Sequence, residues 1–213
     1  TGVVTPEFVG LARNRRSEKQ GIPHLYFTGC AGNITAGKYN DGVADNRDLF
    51  TGRIHDAMVA SEESMRRSPI SSLRWAVEEI CLPPREDLDE ATLLSEIAAT
   101  ASSPKVESKA ALMLTYLRRR ESPIPVTCLQ INHDVAIVHL PGETFIEYQL
   151  HAQAVRPDAF VAVAGYGDLD TGYITLKQSF FEGGYEPVDA FVSGESEAIL
   201  RLAIERVLRV TSI

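Results

Sequence analysis

Apolar residues along this chain recur in two ways. Some stretches repeat them at three- and four-residue intervals, marking one helix face. Others hold them in short runs bounded by glycine, proline and polar clusters, marking strands. Phe8, Val9, Leu11 and Ala12 predict a helix over Pro6 to Lys19, with Thr5 as cap, Pro6 in the first turn and Gly21 as stop. Leu49, Phe50, Ile54, Ala57, Met58, Ser61 and Met65 predict a second over Asn46 to Arg67, closed by Ser68-Pro69. Asp87 to Ala101 and Pro104 to Arg120 predict a helical pair. Glu143 to about Val155 and Glu195 to Leu208 predict two more helices.

The short runs predict strands at His24–Phe27, Leu73–Leu82, Val126–Ile131, Val135–Leu140 and Phe160–Ala164. Trp75 and Val77 fall on one side of the second. Asn132-His133-Asp134 joins the third and fourth as an antiparallel hairpin. Helices and strands so interleaved imply an α/β fold: a mixed sheet flanked by helices, with an inserted helical hairpin at about 86–120. A single domain over residues 1–213 is expected, with no internal repeat and no low-complexity tract.

Composition narrows the partners. The 213 residues are 44% hydrophobic and 23% charged, enough to bury a core. A net charge of −8 argues against nucleic acid or an anionic membrane as the main partner. Arg118–Arg120 lie in a predicted last helical turn, where cations complement the helix dipole. No apolar run reaches transmembrane length. The chain opens without Met and without a signal-peptide pattern, which suggests a processed chain or part of a longer one. Cys30, Cys81 and Cys128 lie in apolar runs without CxxC spacing, so buried thiols are expected rather than a zinc cluster or disulfides.

The stretch HLYFTGCAGNITAGKYNDG, His24 to Gly42, is the first candidate for chemistry. Small polar residues on a glycine-rich turn after an apolar run suit a ligand site at a sheet edge, and equally suit an ordinary loop. Asn33 and Thr35, Glu143, Asp168, Tyr173 and Tyr185 all follow strand ends or glycine turns, where open α/β sheets bind ligands. Glu143 follows Pro141-Gly142 at the start of a predicted helix. It reads either as a site carboxylate or as a dipole-matched helix-start residue. The five histidines form no HxH or HExxH pair, so local spacing assembles no histidine zinc site. No G-x-S-x-G elbow, Walker loop or Rossmann fingerprint is present.

Taken together, FTGCAGNITAGKYNDG, LPGETFIEYQL, FVAVAGYGD, TGYIT and the GGYEP loop resemble the N-terminal catalytic domain of the neutral/alkaline, non-lysosomal ceramidase family, particularly its shorter bacterial relatives. The pieces span most of Leu25–Pro187, and their order and spacing carry more than any one of them. The resemblance implies a zinc-dependent amidase that cleaves the N-acyl bond of a sphingoid base. Its metal is held by two histidines, a glutamate and a tyrosine. The family's Pro-Gly-Glu glutamate falls on Glu143, its tyrosine before Val/Ile-Thr on Tyr173, and a second tyrosine near the scissile carbonyl on Tyr185. Its Gly-Asp-Val-Ser-Pro-Asn hexapeptide, with the active-site serine, aligns with Gly32–Gly37. Asn33 then replaces the aspartate and Thr35 the serine.

Three departures follow. Only about thirty residues precede the hexapeptide, and they hold one histidine, His24, in a different context. Thr35 keeps a hydroxyl on a β-branched side chain. The family's C-terminal immunoglobulin-like domain has no counterpart. The chain is therefore expected to be the C-terminal part of the catalytic domain, completed by the remaining N-terminal part of the same polypeptide. A small-molecule or lipid-like amide is the implied substrate, Zn²⁺ the cofactor of the complete protein, and an extracytoplasmic location matches the family. The alternative expectation is a non-catalytic relative that binds a carbohydrate, a lipid or a protein.

Overall fold

In chain order the elements are α1 (Glu7–Gln20), a single 3₁₀ turn (Gly37–Tyr39), α2 (Asn46–Glu63), β1 (Leu73–Ile80), α3 (Glu90–Ala99), α4 (Pro104–Arg118), β2 (Ile124–Ile131), β3 (Val135–Pro141), β4 (Glu143–Thr144), α5 (Ile146–Val155), β5 (Phe160–Gly167), β6 (Tyr173–Ile174), α6 (Ser179–Glu182), α7 (Glu186–Asp189) and α8 (Ser196–Leu208). This computed structural model describes residues 4–99, 104–168 and 171–209. They gather into two compact units, one of residues 4–27 and 35–69, the other of residues 28–34 and 70–209.

The first unit is a pair of helices. Gly21 takes the left-handed conformation at φ 68° and stops α1, as its position in the sequence predicts. Helices α1 and α2 pack on each other, with Phe8 set edge-on to Phe50 at 5.5 Å. The nearly buried Arg16 guanidinium clasps the Glu62 carboxylate through Nε at 2.7 Å, and Gln20 donates to the same carboxylate at 2.6 Å. These bonds hold the carboxyl of Glu62 below the ordinary glutamate range. The strand predicted at His24–Phe27 is absent: the segment is irregular, and Leu25, Tyr26 and Phe27 are exposed. An apolar run becomes a strand only with a neighbouring ladder, and no described strand pairs with this one.

The second unit holds a four-stranded mixed sheet in the order β1-β2-β3-β5. Strands β2 and β3 form the expected antiparallel hairpin, with Leu129 opposite Ile137. Strand β1 adds antiparallel to β2, and β5 adds parallel to β3 through the α5 crossover. Alternation sends Val126, Cys128, Ala136, Val138, Leu140, Val161 and Val163 to one face. Helix α8 packs against β1, β2 and β3, and α5 against β5 and α8. Tyr148 of α5 and Leu200, Ile204, Val207 and Leu208 of α8 are buried there.

The inserted hairpin is α3 and α4, which pack on each other. Asp89 caps α3 by accepting the Thr92 amide at 2.8 Å, and buried Tyr116 of α4 donates its hydroxyl to Leu82 O at 2.5 Å. Two expectations about single residues fail. Cys30 and Cys128 are buried, but Cys81 is exposed, because it lies just past the end of β1. Phe160, placed in a buried strand by its neighbours, is 70% exposed on the other side of β5. No helix of the described residues is long and apolar enough to cross a membrane.

Candidate functional site

Strand β3 ends at Pro141, and Gly142 turns the chain with φ 60°. No side chain fits at that turn. A Cβ on Gly142 would lie 2.1 Å from Thr171 Oγ1 and 2.7 Å from Gly172 O. Its amide donates to Gly167 O at 2.6 Å, and its carbonyl accepts from Tyr166 N at 2.9 Å. The turn delivers the chain into β4, which pairs in parallel with β6. Glu143 stands in register with Tyr173, and Thr144 with Ile174. The Glu143 amide donates to Gly172 O at 2.9 Å. In-register neighbours on paired strands project to the same side, so the carboxylate and the phenol share one face. Glu143 is thus on a strand, not in a helix: α5 begins only at Ile146. Its carboxylate is set by β pairing rather than by a helix dipole.

Tyr185 completes a triad of side chains. It is the exposed residue before α7, after the Gly183-Gly184 bend. Its ring meets that of Tyr173 edge-on, with centroids 5.8 Å apart and planes at 86°. Burial pushes the Tyr173 hydroxyl well above the ordinary phenol range. Hydrogen bonding with Tyr185, then the nearby charge of Glu143 and a hydrogen bond with it, push the same way. The free site therefore holds Tyr173 as a neutral donor beside a carboxylate.

The loop of residues 28–34 braces this segment. Gly32 donates its amide to Thr144 O at 2.9 Å, and a Cβ there would lie 2.6 Å from Glu143 O. Only glycine allows the loop so close. Thr144 donates its hydroxyl to Cys30 Sγ at 3.1 Å, and burial pushes the Cys30 thiol up to about 11. That thiol is a packing group, not a nucleophile, at neutral pH. Asn33 Oδ1 accepts the Ile146 amide at 2.8 Å, and its Nδ2 donates to Glu147 at 3.0 Å. Residue 145, which precedes α5, supplies no side-chain cap, so Asn33 caps the helix from a distant loop.

Among the other residues singled out in the sequence, Thr35 is exposed in the helical unit and accepts the Gly37 amide through Oγ1 at 3.3 Å. Asp168 is exposed just beyond β5 at φ 42°. His24 contacts Ser17 and Ile22, His55 lies beside Asp56, His133 beside Asp158 and His151 beside Glu205. His139 lies against Gly167, where a Cβ would come within 1.9 Å of its ring. Among the described residues, no three His, Cys, Asp or Glu side chains come together as a metal-holding group. The sequence reading passed over Tyr166, a non-glycine residue at φ 62° that bonds back to the Gly142 turn. A left-handed tyrosine costs of order 1–3 kcal/mol unless its surroundings compel it. Its only trace in the sequence is its place between Gly165 and Gly167.

No protein-family model matches this chain, and no curated protein matches its sequence. Solved structures do match. A ceramidase complexed with C2 superposes with a TM-score of 0.69 at 10% identity, over 100% of this chain and 44% of the other. The neutral ceramidase from Pseudomonas aeruginosa superposes with a TM-score of 0.65 at 14% identity, over 100% of this chain and 43% of the other. The chain has the fold of one stretch of neutral ceramidase and spans less than half the length of these structures.

Two measurements check this geometry. Asn33→Ala should lower stability to urea by about 0.5–2 kcal/mol, as lost helix caps do, and should speed hydrogen exchange at the Ile146 amide. Unchanged exchange there would contradict the cap. Tyr173 is the second case. Its folded value lies above the ordinary phenol value of about 10, so the stability it contributes is complete below that value and is lost as pH rises beyond it. In an absorbance titration at alkaline pH, the chain should show a phenol ionising after the exposed ones. Tyr173→Phe should remove it, while buried Tyr148, also raised by burial, remains late. Removal of an early-ionising phenol instead would contradict the assignment.

Proposed function

We propose that Glu143, Tyr173 and Tyr185 form the oxygen-bearing half of a zinc-dependent amide hydrolase site resembling that of neutral ceramidase. The observation that carries this reading is the in-register pairing of Glu143 with Tyr173. A carboxylate and a phenol far apart in sequence become neighbours on a fold shared with ceramidase structures. The substrate class it suggests is a small-molecule or lipid-like linear amide.

The donor set suits zinc in part. Carboxylate oxygen is an ordinary zinc ligand, and a phenol can serve once ionised, but four positions need filling. Glu143 and Tyr173 offer two. The remaining ligands would come from polypeptide beyond these residues, and these residues alone would hold zinc weakly and be inactive. The chemistry that bound zinc supplies is Lewis-acid polarisation of a carbonyl and acidification of water.

The residues of this chain have separate tasks. Glu143 brings the negative charge that attracts a cation. To serve as a ligand, Tyr173 would have to give up its proton, against the burial and bonding that hold it on. Tyr185, exposed and edge-on to Tyr173, would donate its hydroxyl to the oxygen on which charge develops during amide cleavage. Asn33 would hold α5 and, through it, the Glu143 segment.

One observation favours the second reading, a non-catalytic relative that binds a carbohydrate, a lipid or a protein. Asn33 and Thr35, the two departures from the family hexapeptide, each have a side chain bonding backbone, Asn33 at the distant Ile146 amide and Thr35 at the nearby Gly37 amide. Zinc titration separates the readings. On the hydrolase reading, added Zn²⁺ binds the chain weakly and draws out a phenolate absorbance. Glu143→Ala and Tyr173→Phe each weaken binding about tenfold or more, and Tyr173→Phe abolishes the absorbance. Binding unchanged in both variants would overturn the zinc site.

A further inference from the structure

On the face of the sheet opposite α5 and α8, several large apolar side chains are exposed, although Thr127 and Ala164 are buried. Register aligns its residues in rows across all four strands: Leu73 and Phe160 lie at the two ends of one row, and Trp75, Leu129, Ile137 and Ala162 form the next. Leu73 is 64% exposed, Trp75 62%, Ile137 39% and Phe160 70%. Four strands of about eight residues, at roughly 4.8 Å between strands and 3.3 Å per residue, present on the order of 400–500 Å². Within that area the exposed apolar side chains cluster in these two rows, and such exposed apolar clusters are commonly interaction surfaces.

We infer that this face is a sheet-packing surface, occupied by the apolar face of a second β-sheet. That sheet would belong to the part of a ceramidase-like polypeptide outside these 213 residues. Two observations select this occupant. More than half of each matched ceramidase structure has no counterpart in this chain, although the chain itself is matched throughout. The most exposed side chains of these two rows are apolar, with charge entering the face only beyond them at Glu79, which suits a second sheet packed about 10 Å away. A net charge of −8 disfavours the surface of an anionic membrane as the alternative cover. The inference rests on exposure and fold likeness alone, so it stands or falls apart from the zinc reading.

Alkylation tests it. In a Cys81→Ser background, which removes the exposed native thiol and leaves buried Cys30 and Cys128, Ile137→Cys places a thiol at the centre of the face. Val77→Cys, at another exposed position on this face, provides a second site if the first variant folds poorly. Modification by iodoacetamide is followed by mass spectrometry in the 213-residue chain and in the complete gene product that contains it. The introduced thiol should react as a free one in the chain, and at least tenfold more slowly in the complete product. Trp75, the single tryptophan, should be readily quenched by acrylamide in the chain alone. Equal alkylation rates in the two proteins would overturn the inference, as would a gene product no longer than these residues. Protection that grows with concentration in the chain alone, together with a dimer mass in light scattering, would also overturn it and assign the face to a second copy.

Discussion

The parallel pairing of β4 with β6 is the contact on which the candidate site depends. Strands β4 and β6 are too short to contribute much stability, yet their register sets the carboxylate of Glu143 beside the phenol of Tyr173. Parallel strands cannot be joined by a tight turn, so the pairing depends on everything that brings its two halves together. The large sheet places the end of β3 next to the end of β5, and Gly142 and Gly167 bond across that junction. Gly142, fenced in by Thr171 and Gly172, makes the bend that lets β4 reach β6.

Bracing around the pair is reciprocal. The loop of residues 28–34 bonds to β4 through Gly32 and to α5 through Asn33, so the polar residues of its sequence mostly hold backbone. Tyr166, held at positive φ, ties the end of β5 to the same turn. In this pairing a carboxylate stands beside a phenol whose burial and hydrogen bonds keep its proton on.

Much of the architecture was legible because periodicity reports burial directly. Helix α8 buries an apolar stripe, and β2 and β3 are apolar runs separated by three polar residues, whereas α2 forms where its stripe predicts but buries only Phe50 and Thr51. Legibility failed where structure depends on distant partners. Leu25–Phe27 has the composition of a strand and no ladder to join. Glu143 has the context of a helix start, but its strand is two residues long and its partner lies thirty residues on. No periodicity exists at that length. Cys81 misled because the apolar run around it continues past the end of β1. The candidate residues Glu143, Tyr173 and Tyr185 were reached through a family resemblance. Spacing alone left each with an ordinary explanation, and only tertiary pairing puts them on one face.

A double-mutant cycle in urea tests the central pairing most directly. Glu143→Gln, Tyr173→Phe and the combined variant are compared with the unaltered chain at neutral pH. Side chains in direct contact should show an interaction energy of about 0.5 kcal/mol or more, within the range for neighbouring residues. Strict additivity, to within about 0.3 kcal/mol, would mean that the carboxylate and the phenol do not meet, and would contradict the account.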